Sequence, residues 1–425
     1  MSARKPALGF IVVTLFLDVL GLGLVVPILP RLVERFVGND PTEGAFYVGL
    51  LTSTYAVMQF FFSPIMGSIS DRFGRRAVLL VTLFGQACDY LLLAFAPTLS
   101  WFFLGRVIAG IGGASMGTAA AYIADVSPPE KRSQNFGLIG VAFGLGFIAG
   151  PLMSAVLGTV ELPLPFGLHL EALRTPFIVA GGFTLLNALW GLFVVPESLA
   201  PENRRPFSLA RANPFGTLRY LTRYPAVVGL AAVWLFIGIA QRGLESTWVL
   251  FTEYRFHWGV RETGLSLATV GVSAALAQSV LIRRIMPALG ERKTLVLALI
   301  VATGSYVGYG LVTSGWMLYV VLLVASLAGL AGPATQGLLS KAVPPNEQGM
   351  LQGGLVAVSS LTSIIGPPLA TNLFGFFISA KAPVTLPGAA FFSSAALALV
   401  ALILARRTFA RLPPSPGLKE PPAFR

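Results

Sequence analysis

Twelve stretches of apolar residues, each near the length of a membrane crossing, limit this 425-residue chain more than any other feature. They begin near Gly9, Phe46, Ala77, Leu99, Phe136 and Pro176, then near Ala226, Thr263, Thr294, Gly315, Leu351 and Gly388. About 20 residues of helix cross about 30 Å of hydrocarbon. Inside lipid the backbone N–H and C=O groups must bond one another, so such runs form helices. Only 11% of the residues are charged and 55% are hydrophobic, where a soluble protein carries about 25% charged residues. The expectation is an all-α integral membrane protein of twelve transmembrane helices, with almost no soluble part.

The basic residues give the orientation. With both ends placed in the cytoplasm, twenty-two of the 30 Lys and Arg residues fall on the cytoplasmic side and six on the other, while Arg106 and Arg242 lie within the apolar runs. That asymmetry fits an even number of crossings with both termini inside. It also accounts for the net charge of +12, so no nucleic-acid partner is inferred. The first run is too long, and too poor in small residues at its end, for a cleavable leader. Cys88 is the single cysteine, which excludes an internal disulfide. The longest polar connection runs from Pro196 to Pro225. It divides the chain into a six-helix bundle at 1–195, a cytoplasmic linker at 196–225, a second six-helix bundle at 226–407 and a proline-rich cytoplasmic tail at 408–425.

The halves repeat. A shift of 216 places Pro128-Pro129 on Pro344-Pro345, Gly137 on Gly353, Ile148 on Ile364 and Gly150-Pro151 on Gly366-Pro367. The same shift carries Gly74 to Gly290, Arg76 to Arg292 and Leu79 to Leu295. One offset joining separate regions without a gap implies two parallel six-helix pseudo-repeats, an arrangement of transporters in which one half rocks against the other.

Between the second and third runs lies Gly67-Ser-Ile-Ser-Asp71-Arg72-Phe73-Gly74-Arg75-Arg76. Gly74 lets the backbone reverse, and Arg72, Arg75 and Arg76 hold the turn in the cytoplasm. Asp71, at a helix end, is free to meet the positive N-terminus of another helix. The stretch is read as a conformational latch. In the second half Pro287 stands for Asp71 and Glu291 for Arg75, so that copy reads as degraded.

Ionisable groups within the runs are costly, about 2.5–3.5 kcal/mol each on insertion scales, and point to function. Asp18 lies near mid-membrane and is the first candidate for carrying a proton or meeting substrate, the alternative being a carboxylate permanently paired with an arginine. Asp89 and Arg106 flank the turn at Pro97 at similar depth, which allows them to pair, either structurally or as part of proton coupling. Arg242 and Glu245 share a helix face at i and i+3. They either neutralise each other or leave Glu245 as a second titratable acid. Gln59, Gln241 and Gln278 are candidates for lining a wet, substrate-binding cavity. Gly137, Gly146, Gly150 and Pro151 run along the fifth helix, where small residues let another helix approach and proline allows a bend. His169 and His257 fall outside the runs, so neither a metal site nor a catalytic cluster is expected. No phosphate-cradling Gly-Lys-Ser/Thr loop occurs, so ATP is not the energy source.

The latch spacing resembles the signature loop of the major facilitator superfamily. Further residues narrow the likeness to its tetracycline/proton antiporter group. They are Asp18 with Gly21-Leu-Gly23 and Pro27-Ile-Leu-Pro30, Asp89-Tyr-Leu-Leu-Leu-Ala-Phe95, Gly105-Arg106, Gly144-Leu-Gly-Phe-Ile-Ala-Gly-Pro151, Thr247-Trp-Val-Leu-Phe-Thr-Glu253 with Arg255-Phe256, Gln348-Gly349 and Gln352-Gly353. The resemblance implies functional roles for Asp18, Gln59, Asp71, Arg75, Asp89 and Arg106. Two departures stand out. Ser154-Ala155 occupies a place where the family tends to have two glycines. Ala274 and Thr303 (or Ala302, one residue off) stand where the family has a histidine in helix eight and an aspartate in helix nine. Glu245 is the residue that can substitute for the missing acid.

The resulting expectation is a proton-driven efflux antiporter of drug-like amphiphiles, tetracycline among them, in the bacterial cytoplasmic membrane. It works as a monomer by alternating access. The proton gradient supplies the energy, and there is neither cofactor nor enzymatic activity. A proton-coupled importer of a small metabolite is the alternative with the same fold.

Overall fold

The structure is a computed structural model that describes residues 8–411 apart from 114, 129–131, 164–168, 205, 208–220 and 345–346. The six helical runs of the first half are α1 (Leu8–Val25), α3 (Pro41–Phe73), α4 (Arg75–Phe95), the pair α5 (Leu99–Gly113) and α6 (Ser115–Val126), α7 (Arg132–Leu157) and α8 (Thr175–Val194). A short helix, α2 (Leu29–Phe36), follows α1. The second half contains α9 (Pro225–Phe256), α10 (Val260–Leu276), α11 (Ile282–Leu311), the pair α12 (Gly315–Ala325) and α13 (Ala331–Lys341), α14 (Gln348–Ile378) and α15 (Ala389–Arg411). A two-residue antiparallel pairing, Leu162–Pro163 with His169–Leu170, precedes α8.

Eleven helical stretches among the described residues are long and apolar enough to cross a membrane, and one of them, Val260–Leu311, is 52 residues long. It is two crossings, because Gly290 breaks it with φ 74° and ψ 162°. The first half reverses at Gly74, φ 104° and ψ 156°. These two glycines are related by the shift of 216 and share a backbone conformation open essentially to glycine alone. The internal repeat is therefore visible in the backbone. The count is twelve helices in two six-helix pseudo-repeats.

Some expected bounds move. α15 continues to Arg411, four residues past the expected end of the second bundle at 407. α3 begins at Pro41 rather than Phe46, because Asp40 accepts the N–H groups of Thr42 and Glu43 and caps the helix there. Residues 205 and 208–220 of the expected linker, and the tail from 412 onward, lie outside the described residues.

The halves meet along two seams built alike. In one, a Cβ on Gly49 of α3 would stand 3.1 Å from Pro368 Cα and would also collide with Thr371 of α14. In the other, a Cβ on Gly264 of α10 would stand 2.5 Å from Pro151 O and 2.9 Å from Ala155 Cβ of α7. Thr371 is the counterpart of Ala155 by the same shift of 216. Gly264 thus supplies, from across the seam, room that Ala155 does not provide itself. Ser53 Oγ donates to Ile364 O at 2.9 Å, and a Cβ on Gly271 would stand 2.8 Å from Ile148 Cγ1.

The seams close at the end that carries α2. There Arg31 Nη1 lies 3.5 Å from Glu253 Oε1 of α9, and Arg31 also donates to Trp258 O. Burial, reinforced by the nearby Glu253 carboxylate and opposed by Arg31, pushes Glu34 of α2 up to about 7. Further along α3 this close packing is not repeated at Gly67. Gly67 stands 18 residues, five turns, beyond Gly49 on the same face of α3, yet a Cβ there would meet nothing within 4 Å.

Candidate functional site

Asp18 is set by the packing of α1. On one side, Cβ atoms on Gly146 and Gly150 of α7 would press into α1, 2.8 Å from Val19 Cβ and 2.7 Å from Gly23 Cα. Pro151 Cδ lies as closely against Gly23. On another, Asn187 Nδ2 of α8 donates to Thr14 Oγ1 at 3.0 Å. The Tyr90 hydroxyl of α4 fills the space beneath Gly21. Glycines on both helices therefore bring α1 and α7 to backbone contact and fix the depth of Asp18. Asp18 Oδ1 is buried without a hydrogen-bond partner in the protein. A buried polar atom left unpaired is expensive, which makes it a functional candidate. Gly137 also lies in α7.

Asp89 on α4 and Arg106 on α5 come together across their hairpin. Arg106 Nη2 is 3.4 Å from Asp89 Oδ2, with side chains 9% and 1% exposed respectively. The space is kept by Gly105, where a Cβ would stand 2.5 Å from Asp89 Oδ1. The pair is incompletely satisfied, since Asp89 Oδ1 and Arg106 Nε have no hydrogen-bond partner in the protein. One long contact offsets little of the desolvation of two ions, so the pair contributes little to stability.

The opposite wall belongs to α9. Arg242 Nη1 donates to Glu245 Oε2 at 2.7 Å, and Gln241 Nε2 to Glu245 Oε1 at 3.1 Å. Tyr306 of α11 donates its hydroxyl to Gln241 Oε1 at 3.1 Å. Arg242 and Glu245 are 47% and 44% exposed although they lie midway along a 32-residue helix. Between the two walls stands Tyr55 of α3, within electrostatic reach of Asp18, Asp89, Arg106 and Arg242. Gln59, one turn further, donates to the Tyr55 hydroxyl and to Gly113 O, both at 3.4 Å. Asp18, Tyr55, Gln59, Asp89, Arg106, Gln241, Arg242 and Glu245 thus form one polar group around Tyr55 where the halves meet, read below as lining a central cleft. Gln278 is exposed in the π-helical turn Ala277–Leu281 and makes no bond to this group. Thr303 donates to Leu299 O within its own helix, and Ala302 is buried.

In the latch, Asp71 meets no second helix from across the seam among the described residues. Its Oδ1 instead accepts from Arg75 Nη1 at 2.7 Å. Arg75 Nε lies 3.3 Å from Asp125 Oδ2 at the end of α6, and Arg75 Nη1 donates to Ser70 Oγ. Glu197, just after α8, accepts the backbone N–H groups of Arg75 at 2.8 Å and Arg76 at 3.3 Å. A carboxylate there satisfies the orphan donors and the positive end of α4. A Cβ on Gly74 would collide with that carboxylate. Arg76 Nη2 donates to Leu192 O at 2.7 Å, while Arg72 stacks over Phe73 at 5.0 Å.

The second copy is not simply degraded. Lys341 Nζ donates to Glu291 Oε1 at 2.7 Å. By the shift of 216, Glu291 corresponds to Arg75 and Lys341 to Asp125. The ion pair is kept with its charges inverted.

Sequence reasoning missed Tyr55, Asp125, Glu197 and Tyr306. The signals were faint: Tyr55 lies one helical turn before Gln59, and Asp125 and Glu197 each follow an apolar run directly.

Comparison with known proteins agrees with this geometry. The family model described as Major Facilitator Superfamily matches residues 11–330 and 251–424. The class C tetracycline resistance protein of Escherichia coli is 37% identical over 401 residues, covering 94% of this chain and 96% of that protein. The class H protein of Pasteurella multocida is 34% identical over 364 residues, covering 85% and 88%. Among solved structures, the human organic anion transporter TETRAN superposes with a TM-score of 0.69 at 25% identity, covering 95% of this chain and all of that one. A bacterial homolog of the lysosomal transporter Spinster, in an inward-facing and unoccupied conformation, gives 0.76 at 17% identity, covering 97% of this chain. The twelve helices in two repeats, the latch between crossings two and three and these likenesses converge: the chain is a multi-pass membrane transporter, not an enzyme, and belongs to the major facilitator superfamily.

Proposed function

We propose that this protein is a proton-coupled efflux antiporter of amphiphilic, drug-like molecules, with tetracycline the first to test, working by alternating access. The observation that carries the reading is Asp18, a half-buried side chain within a membrane-spanning helix whose Oδ1 is buried and, among the described residues, unpartnered. A proton taken up there, or by the adjacent Asp89–Arg106 pair, neutralises the cleft, and substrate binding reverses the step. The relatives that are tetracycline resistance proteins support the substrate class. The lysine and arginine bias of the loops supports a cytoplasmic latch end and cytoplasmic termini. The cleft then opens inward, with the α2 end sealed. In this reading 1–195 and 226–407 with its helical extension to Arg411 are the moving bodies, Gln59 and Gln241 contact substrate while Gln278, exposed and apart from them, does not, and Glu245 is the second titratable acid. Asp71, engaged with Arg75 in the inward-open state, reaches across the seam when the latch end closes. The proton gradient is the only energy source, no cofactor takes part, and a single chain suffices.

The test is tetracycline-driven proton release from inverted membrane vesicles. Wild type should exchange and Asp18→Asn should lose at least tenfold in coupled release. Unchanged release in Asp18→Asn would remove that role, and uptake following the proton inward would favour the importer.

A further inference from the structure

The charges on the α9 wall are unequal in what they leave open. Both oxygens of Glu245 are engaged, Oε2 by Arg242 and Oε1 by Gln241, and Gln241 is in turn held by Tyr306. The carboxylate is therefore tied from two sides. Arg242 uses a single N–H of its five in a hydrogen bond within the protein. Its Nε and Nη2 groups make no hydrogen bond among the described residues, and the side chain is 47% exposed. The side chain lies between α14 and α3. The Arg242 stem packs over Gly366 of α14, where a Cβ would stand 2.8 Å from Arg242 Cβ, and its charge reaches Tyr55 of α3 across the cleft. A guanidinium with a free planar edge takes a carboxylate, enolate or phenolate through two parallel N–H···O bonds. Water in an enclosed cleft screens such a contact less than bulk solvent does.

We propose that Arg242, restrained by Glu245 and Gln241, is the anion-reading residue of the cleft, so that its preferred cargo is an amphiphile bearing an anionic oxygen group. The opposite wall has the complementary character. Asp18 and Asp89 outnumber Arg106 there and favour a cationic or neutral end. The proposal rests on the transport reading above and narrows its substrate class. It also gives Arg242 a role distinct from neutralising Glu245.

The experiment uses a matched pair of probes with the same apolar body, 1-naphthoate and 1-naphthylmethylammonium, and thermal unfolding of the detergent-purified full chain. Naphthoate should raise the melting temperature of wild type. Arg242→Gln should need at least tenfold more naphthoate for the same shift. Arg242→Lys, which keeps the charge and so guards against a folding defect, should also weaken it severalfold because one ammonium cannot make the planar double contact. Glu245→Gln, which releases the guanidinium, should tighten naphthoate severalfold. The ammonium probe should act equally on wild type and both Arg242 variants. No naphthoate shift in wild type, or the same dose dependence in Arg242→Gln and Arg242→Lys, would overturn the proposal. Tetracycline-driven proton exchange is scored separately. Its failure with an Arg242-dependent naphthoate shift intact would remove the efflux reading and leave the anion site.

Discussion

Lys341 donates to Glu291 over 2.7 Å at positions where, 216 residues earlier, Asp125 and Arg75 form the same pair with opposite charges. The two pairs differ in setting. Arg75 is 11% exposed and tied to Asp71, Asp125 and Ser70, whereas Lys341 is 72% exposed. An exposed pair is worth little, while removing a partner from a part-buried charge leaves desolvation uncompensated. Asp125→Asn should cost about 1–3 kcal/mol. Glu291→Gln, which leaves behind only the exposed Lys341, should cost under about 1 kcal/mol. Thermal unfolding in detergent compares them. Equal losses would mean that burial does not separate the two latches.

Gly74 and Gly290 offer a second paired comparison. Each has a positive φ that a side chain resists, a strain of about 1–3 kcal/mol. Only at Gly74 would the added Cβ also strike the Glu197 carboxylate, while at Gly290 it meets open space. Gly74→Ala should therefore lose the Glu197 cap and most transport, and Gly290→Ala should keep at least half of it. Drug resistance conferred on a sensitive host reads both.

The sequence made the fold legible because lipid leaves few options. Apolar runs of membrane length, the lysine and arginine bias and the repeat at 216 each report a constraint that acts locally or along the chain. The depth match that brings Asp89 to Arg106 is of this kind, since a hairpin fixes it. Tyr55, Glu197 and Tyr306 were hidden because their partners lie on other helices, and no spacing along one helix encodes which neighbour rotates toward it. Glu291 shows the opposite error. Compared with Arg75 alone it looks like decay, and only the contact with Lys341 shows an exchange of both members.

Gly150→Ala and Gly144→Ala should separate along α7. At Gly150 the Cβ would stand 2.7 Å from Gly23 Cα and from Leu20 O, backbone that cannot yield. At Gly144 nothing lies within 4 Å. The first change should displace α1 and Asp18 and reduce coupled proton release by tenfold or more. The second should leave it within twofold. Vesicle assays at matched expression decide.

Glu34 gives a pH dependence. It is pushed up from an ordinary value of 4.5 to about 7 in the sealed α2 end, so that state holds its proton more firmly than a solvated one. Sealing is thus favoured below about pH 4.5 and loses that advantage progressively as the pH rises to about 7. Arg31 and Glu253 face the same group, and an ionised Glu34 adds a second negative charge beside Glu253. In a Cys88→Ser background, disulfide cross-linking of Thr42→Cys with Gly375→Cys should fall between pH 5.5 and 8, after correction for thiol ionisation. Glu34→Gln should flatten the profile. A profile that is flat in both proteins would exclude Glu34 as the sensor.

Gly67 has one more implication. It sits five turns beyond Gly49 on α3, and an added Cβ there would meet nothing within 4 Å, as the inward-open reading expects. A bulky residue at 67 would act as a doorstop, harmless to the resting shape and an obstacle to the return stroke. Gly67→Leu should therefore leave ligand binding from the open side intact while stalling the cycle, a separation of occupancy from turnover that no substitution in the cleft itself can provide.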